Sequence, residues 1–275
     1  MIAVPDPSSE PSLEELKENY EKVCANVQRV AKESGEVNGP VRLVAVSKTK
    51  TVACLQRAYD VGVRIFGENY VQEICDKAPL LPGDIQWRFI GHLQSNKAKD
   101  IVSKVPSLVA IETIDSESLA TKVNNAVEKH RPDRPLDVYV QVNTSGEESK
   151  FGVEPGKPVV DLARHVIKQC PKLTYCGLMT IGMPDYSSRP ECFAVLNACK
   201  KEVIETLGAE GLLPQGRQFE MSMGMSGDYE AAIACGSTNV RVGSSIFGAR
   251  VYKPKEEVKK PEEDNAAKPE ATKTS

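Results

Sequence analysis

No C-x-x-C pair occurs in the 275 residues, and only three residues are histidine. Zinc sites are usually built from such residues at such spacings, so no metal site is expected. There is no basic excess either. The 38 Asp and Glu outnumber 35 Lys and Arg, for a formal net charge of -3. That balance argues against a nucleic-acid partner or a polybasic hold on a membrane surface. Nowhere does the chain stay apolar for the ~18 residues that a transmembrane helix needs. Residues 1–15 hold no Lys or Arg, unlike a secretory signal or an Arg-rich transit peptide. These missing signals lead us to expect a cytoplasmic protein that binds neither nucleic acid nor membrane. The eight cysteines are scattered along the chain. A chain of this length buries a core without staples, so we expect reduced thiols in core positions.

The ends of the chain have few large apolar residues. Residues 1–11 include three prolines and read as a flexible lead. Residues 253–275 hold six lysines and six acidic residues, no aromatics, and Val258 as the one large aliphatic. Such a segment cannot offset the entropy of ordering, so it is expected to be a disordered tail. Residues 12–252 between them form one domain. It opens on a helix whose stripe is Leu13, Leu16, Tyr20, Val23, Val27 and Val30. Ser12 and Glu15 suit a capping box there, and Gly35 a stop.

From residue 42 onward, short β-rich runs alternate with amphipathic stretches. Strands are expected at 42–48, 64–69, 86–92, 108–113, 137–143, 175–182, 218–223 and 238–243. The first four start 22 residues apart, at 42, 64, 86 and 108. Helical stripes include Val52, Leu55 and Tyr59; Leu119, Val123 and Val127; and Phe193, Leu196, Val203 and Leu207. Alternation of this kind predicts an α/β fold with parallel strands and crossover helices. Eight units suit a closed (β/α)8 TIM barrel; an open doubly wound sheet is the rival.

Each run ends in polar or glycine-containing residues, and in a barrel those ends share one face, where sites are built. Glu112, Thr113 and Asn143 read as ordinary polar strand ends, exposed because loops are exposed. Lys48 leaves the apolar run Leu43–Val46 and, on that feature alone, reads as a solvated lysine at a strand end, with a desolvated amine at the barrel mouth the alternative. If it faces the mouth, Val44 and Val46 face inward by strand alternation. An amine so placed is partly desolvated, which frees it to attack a carbonyl. Ser226 and Gly227 precede the stripe Tyr229, Ala232, Ile233 and would sit at a helix N-terminus, which favours an anion. Gly243 allows close backbone approach, and Ser244 and Ser245 add hydroxyls. A phosphate held after strands seven and eight is a recurrent barrel arrangement. Closure would bring Lys48 beside it. An imine-forming amine next to a phosphate cradle suits pyridoxal 5'-phosphate (PLP), and equally an aldolase acting on a phosphorylated sugar.

The motifs at 43–50 (LVAVSKTK), 66–73 (FGENYVQE), 87–97 (WRFIGHLQSNK), 140–152 (VQVNTSGEESKFG), 177–182 (GLMTIG), 221–228 (MSMGMSGD) and 236–248 (GSTNVRVGSSIFG) together resemble the pyridoxal phosphate homeostasis protein family, known also as proline synthetase co-transcribed proteins. They run in order through about residues 12–251. The resemblance implies a barrel like the N-terminal domain of alanine racemase, with PLP held as a Schiff base. Lys48 falls on the family's Schiff-base lysine. Ser226, Gly227, Gly243 and Ser244 fall on its phosphate positions, with Ser245 a further candidate. Arg241 matches the arginine facing the pyridine nitrogen. Asn69, His92, Met179 and Ser222 match other pocket positions. Val242 and Ser245 depart mildly, standing where isoleucine and threonine are common.

That resemblance implies a role in vitamin B6 homeostasis: a carrier or buffer of PLP whose recipients would be PLP-dependent apo-enzymes. A cationic Arg241 disfavours a protonated ring nitrogen and weakens the cofactor as an electron sink. Racemases of this fold take a second acid/base from an added β-domain, for which residues 253–275 are too few. A non-catalytic monomer is therefore expected. A PLP-dependent amino-acid racemase, or related enzyme, is the alternative.

Overall fold

The computed structural model describes residues 10–35, 39–147, 151–182, 190–213 and 216–249. Helix α1 (Leu13–Glu33) starts on the expected capping box. Ser12 Oγ accepts from the Glu15 N–H at 3.2 Å, and Glu15 Oε2 accepts from the Ser12 N–H at 2.8 Å. Its buried residues Leu16, Val23, Val27 and Val30 repeat at helical spacing, so one face turns to the core.

Eight parallel strands follow: β1 (Arg42–Val46), β2 (Ile65–Glu68), β3 (Gln86–Phe89), β4 (Leu108–Ile114), β5 (Leu136–Gln141), β6 (Leu173–Met179), β7 (Glu220–Met225) and β8 (Asn239–Val242). Between them run α2 (Val52–Asp60), α3 (Val71–Lys77), α4 (Ala98–Lys104), α5 (Glu117–His130), α6 (Lys157–Gln169), α7 (Pro190–Ala209) and α8 (Tyr229–Ala234), and the short α9 (Ser244–Phe247) follows β8. The sheet closes in sequence order. Arg42 lies opposite Asn239, and Ala45 opposite Val242. Closure removes the open-sheet rival, and the fold is a (β/α)8 barrel.

Strand alternation divides the core in two. Outward-facing Phe66 and Trp87 are fully buried against the helical layer, with ring centroids 5.5 Å apart. Burying each such ring contributes roughly 1.5–3 kcal/mol. The inward face instead carries small and polar groups. Gly67 must be glycine there, because a Cβ would lie 2.8 Å from Val44 Cγ1.

Several expectations need correction. Glu112, Thr113 and Asn143 are buried rather than exposed, at 0, 0 and 5%. Glu112 is an interior ion-pair partner of Arg88, and the Thr113 hydroxyl donates to the Gly91 carbonyl at 2.6 Å. Strands end earlier than the pattern predicts at Lys48, Asn69 and His92, because the hydrogen-bond ladder stops before those residues. Strand β7 instead runs past the expected 223 to Met225, which pairs with Arg241 beyond a register shift. Helix α8 starts only after Asp228, so Ser226 and Gly227 occupy the preceding turn. Residues 1–9 of the expected lead and the tail 253–275 lie outside the described residues. Glu10 is held firmly: its carboxylate accepts from the Thr51 N–H and Thr51 Oγ1, both at 2.7 Å.

Candidate functional site

At the C-terminal ends of β1, β2, β7 and β8 lies a cavity of about 370 Å³. Strand alternation sends Val44 and Val46 to the same side, Lys48 follows in the turn after β1, and Val46 and Lys48 both line the cavity. Closure brings up the other wall. A Cβ on Gly243 would lie 3.3 Å from the Val46 carbonyl oxygen, so the turn after β8 abuts the end of β1. The Gly243 N–H donates to Ser226 Oγ at 3.0 Å, tying the turns after β7 and β8 together. Beyond Gly243 the chain enters α9. The Ser244 and Ser245 N–H groups there have no acceptor within the helix.

Of the residues singled out from sequence, the cavity wall brings together Lys48, Asn69, Ser226, Arg241, Gly243 and Ser244. Gly227, Ser245, Ser222, Met179 and His92 are not on that wall. Gly227 lies in the turn beside Ser226, and Ser245 in the first turn of α9. Ser222 is buried beneath Arg241, and Met179 packs with Ala110 and Tyr139. His92 lies beyond β3. Its ring stacks on Phe151 at 3.5 Å and its Nδ1 is 3.3 Å from Asp115. The wall also includes Lys50 and Phe247, which sequence reasoning missed. The alternation that singles out Lys48 extends to Lys50. Nothing local marks Phe247.

Arg241 is 3% exposed, and its orientation is fixed from below. Nη1 donates to Ser222 Oγ at 2.6 Å and Nη2 to the Thr180 carbonyl at 2.7 Å. Ser222 Oγ donates to Glu112 Oε2 at 2.6 Å, and Asn239 Nδ2 donates to Glu112 Oε1 at 2.9 Å. Burial pulls the Arg241 guanidinium below its ordinary value, against the opposing pull of Glu112 and Asp228. Burial alone would raise the Glu112 carboxyl, but Arg88 and Arg241 outweigh it and hold it below the usual carboxylate range. Asn69 Oδ1 is buried without a hydrogen-bond partner. An amine, a rigid buried cation and hydroxyl-rich turns thus converge on one space. That set can hold an anionic ligand and condense with a carbonyl.

Among the described residues, no group of three His, Cys, Asp or Glu side chains could hold a metal ion, and no helix is long and apolar enough to cross a membrane. A family model, the alanine racemase N-terminal domain, matches residues 19–251. The pyridoxal phosphate homeostasis protein of Mus musculus is 45% identical over 236 residues, 83% of this chain and 84% of that one. Among solved structures, PipY of Synechococcus elongatus with PLP bound is similar at 30% identity and a TM-score of 0.62, over 81% of this chain and 100% of that one. An alanine racemase of Clostridium difficile is 14% identical with a TM-score of 0.62, over 85% of this chain and 56% of that one, a likeness of fold alone.

Proposed function

The chain belongs to the pyridoxal phosphate homeostasis protein family, and from that premise we propose that it holds PLP covalently on Lys48 and buffers the free level of this aldehyde in the cell, without strong catalysis of its own. One observation carries the reading: a single cavity wall contains Lys48, Arg241 and the joined turns of Ser226, Gly243 and Ser244. These residues fit the group. Lys48 supplies the amine. Ser226, Ser244 and the backbone at Gly243 suit a phosphate. The unpartnered Asn69 Oδ1 is free to accept a hydrogen bond from a hydroxyl. When bound, the group supplies an aldehyde that condenses with an amine, releasing one water and leaving a link that borohydride reduces.

Arg241 makes the bound group a weaker electron sink, although racemization survives such an arrangement. A guanidinium only donates hydrogen bonds and stays charged. Opposite a pyridine nitrogen it keeps that atom unprotonated, which weakens the cofactor's electron sink. Ser222 and the Thr180 carbonyl keep the guanidinium from turning away. Within this reading, recipients are PLP-dependent apo-enzymes and the protein acts as a monomer.

The test is direct. The purified chain is mixed with PLP, its absorbance recorded, the link reduced with borohydride and the modified lysine mapped. A yellow species and an adduct on Lys48, both absent in Lys48→Ala, are expected. No adduct on Lys48 would reject the reading. Steady turnover across an amino-acid panel, lost in Lys48→Ala, would move the assignment to an enzyme.

A further inference from the structure

Thr49, next to Lys48, has φ 66°, the one positive φ outside glycine among the described residues. A β-branched residue strongly disfavours that region, so something must hold it there. The turn is closed by the Lys50 N–H donating to the Ser47 carbonyl at 3.1 Å, and a second holding group lies outside the barrel. Glu73, on α3, accepts from the Thr49 N–H at 2.8 Å through Oε2. The same oxygen accepts from Lys77 Nζ at 2.7 Å. Lys77 Nζ also donates to Glu68 Oε1 at 2.8 Å and to the Ser47 carbonyl at 3.1 Å. Ser47 Oγ donates to Glu68 Oε1 at 2.7 Å.

None of Glu68, Glu73 and Lys77 lines the cavity. Lys77 and Glu73 grip the backbone on either side of Lys48 from behind, and Glu68 holds Lys77 and the Ser47 hydroxyl. The ends of the turn are also fixed. The Ser47 N–H donates to the Gly67 carbonyl at 2.9 Å, and Thr51 is tied to Glu10. With both ends held, any relaxation of Thr49 to negative φ must be absorbed at Lys48 or Lys50. The side chain that relaxation would re-aim is the one proposed to bind PLP.

We propose that Glu73, backed by Lys77 and Glu68, is a positioning residue for Lys48: it holds Thr49 left-handed so that the amine enters the cavity. The inference rests on the assignment of Lys48 to PLP. It adds a residue that never touches the ligand.

The experiment measures the rate at which borohydride-stable PLP adduct forms on Lys48, by mass spectrometry, in the full chain at a temperature where every variant is folded. Glu73→Ala is expected to slow adduct formation about 5- to 30-fold, the range set by the cost of an unsupported left-handed residue. Adding Thr49→Gly should return the rate to within about threefold of wild type, because glycine adopts positive φ without support. Because the rates are read where every variant is folded, that rescue reports positioning of Lys48 rather than a general loss of stability. Should Glu73→Ala not fold, Glu73→Gln keeps an acceptor for Thr49 but loses the ion pair, and a smaller slowing with the same glycine rescue is expected. Equal adduct rates in wild type and Glu73 variants, or a slowing that Thr49→Gly does not reverse, would overturn the inference alone. A wild-type chain that forms no adduct on Lys48 would overturn the functional reading first, and this inference with it.

Discussion

Two buried polar clusters flank the strand that carries Lys48, and they are built with opposite charge balance. Inside the barrel a hydrogen-bonded column runs from Arg241 through Ser222, Glu112, Arg88 and Tyr139 to Glu220 and Arg42. It holds three arginines against two glutamates. Between the barrel and α3, the second cluster sets Glu68 and Glu73 against the single ammonium of Lys77. The inner column has a cation to spare, and its buried Arg241 faces the cavity, where an anionic ligand would be drawn. The outer cluster has an anion to spare, and it uses a carboxylate to grip a backbone N–H. One cluster suits the ligand and the other aims the amine.

Titration follows the same division. Glu112 and Glu220 are both held below the ordinary carboxylate range: burial opposes ionisation, but their arginine partners prevail. Glu68 goes the other way. Burial raises it, the Glu73 charge adds to that, and Lys77 only partly compensates. Lys77 is itself raised, because two carboxylates outweigh its burial. These shifts agree physically. One ammonium shared by two carboxylates stays charged, while the deeper carboxylate takes up a proton more readily.

The largest test of the contrast is Glu112→Gln. It leaves Arg88 and Arg241 in the interior without their shared carboxylate, and breaking a buried pair in this way costs about 3–5 kcal/mol. Urea unfolding at neutral pH should read that loss. A loss below about 1 kcal/mol would mean that the column is not an ion-paired core. Next comes Lys77→Met, which removes charged hydrogen bonds to Glu68, Glu73 and the Ser47 carbonyl. A loss of about 1.5–3 kcal/mol is expected, because the cluster edge at Glu73 is nearer to water. A cost equal to that of Glu112→Gln would erase the distinction between the two clusters.

The contrast also explains which parts were legible in the sequence. Apolar periodicity marks the eight strand–helix units, since each strand buries its outward face against helices. Alternation makes Lys48 a candidate for the barrel mouth, whereas Arg241 is marked only by the resemblance to the family. Glu112 looks like any polar strand end, because its partners Arg88 and Ser222 come from other strands, and no local pattern encodes a barrel interior. Glu68, Glu73 and Lys77 fit the recognisable spacing of a helix and its approach. Their role depends on the φ of Thr49, which only the folded chain shows.

The smallest expected effect is the sharpest. Glu68→Gln keeps an acceptor for Ser47 Oγ and replaces an oxygen, Oε2, that has no partner. Its cost at neutral pH should therefore be about 1 kcal/mol. The sign of its pH dependence matters more than its size. The Glu68 carboxyl titrates above its unfolded value of about 4.3. The wild type thus carries a penalty above the raised value, which is lifted as pH falls through that value towards about 4.3. The amide that replaces this carboxyl has no proton to gain, so the deficit of the variant should deepen over that interval. Glu112 titrates below its unfolded value, so its contribution is complete above about 4.3 and is lost as pH falls through the depressed value. The deficit of Glu112→Gln should shrink on acidification. Paired unfolding curves for the two variants and wild type between neutral and acid pH test this directly. Deficits that move in the same direction would show that the two clusters do not differ in charge balance as described.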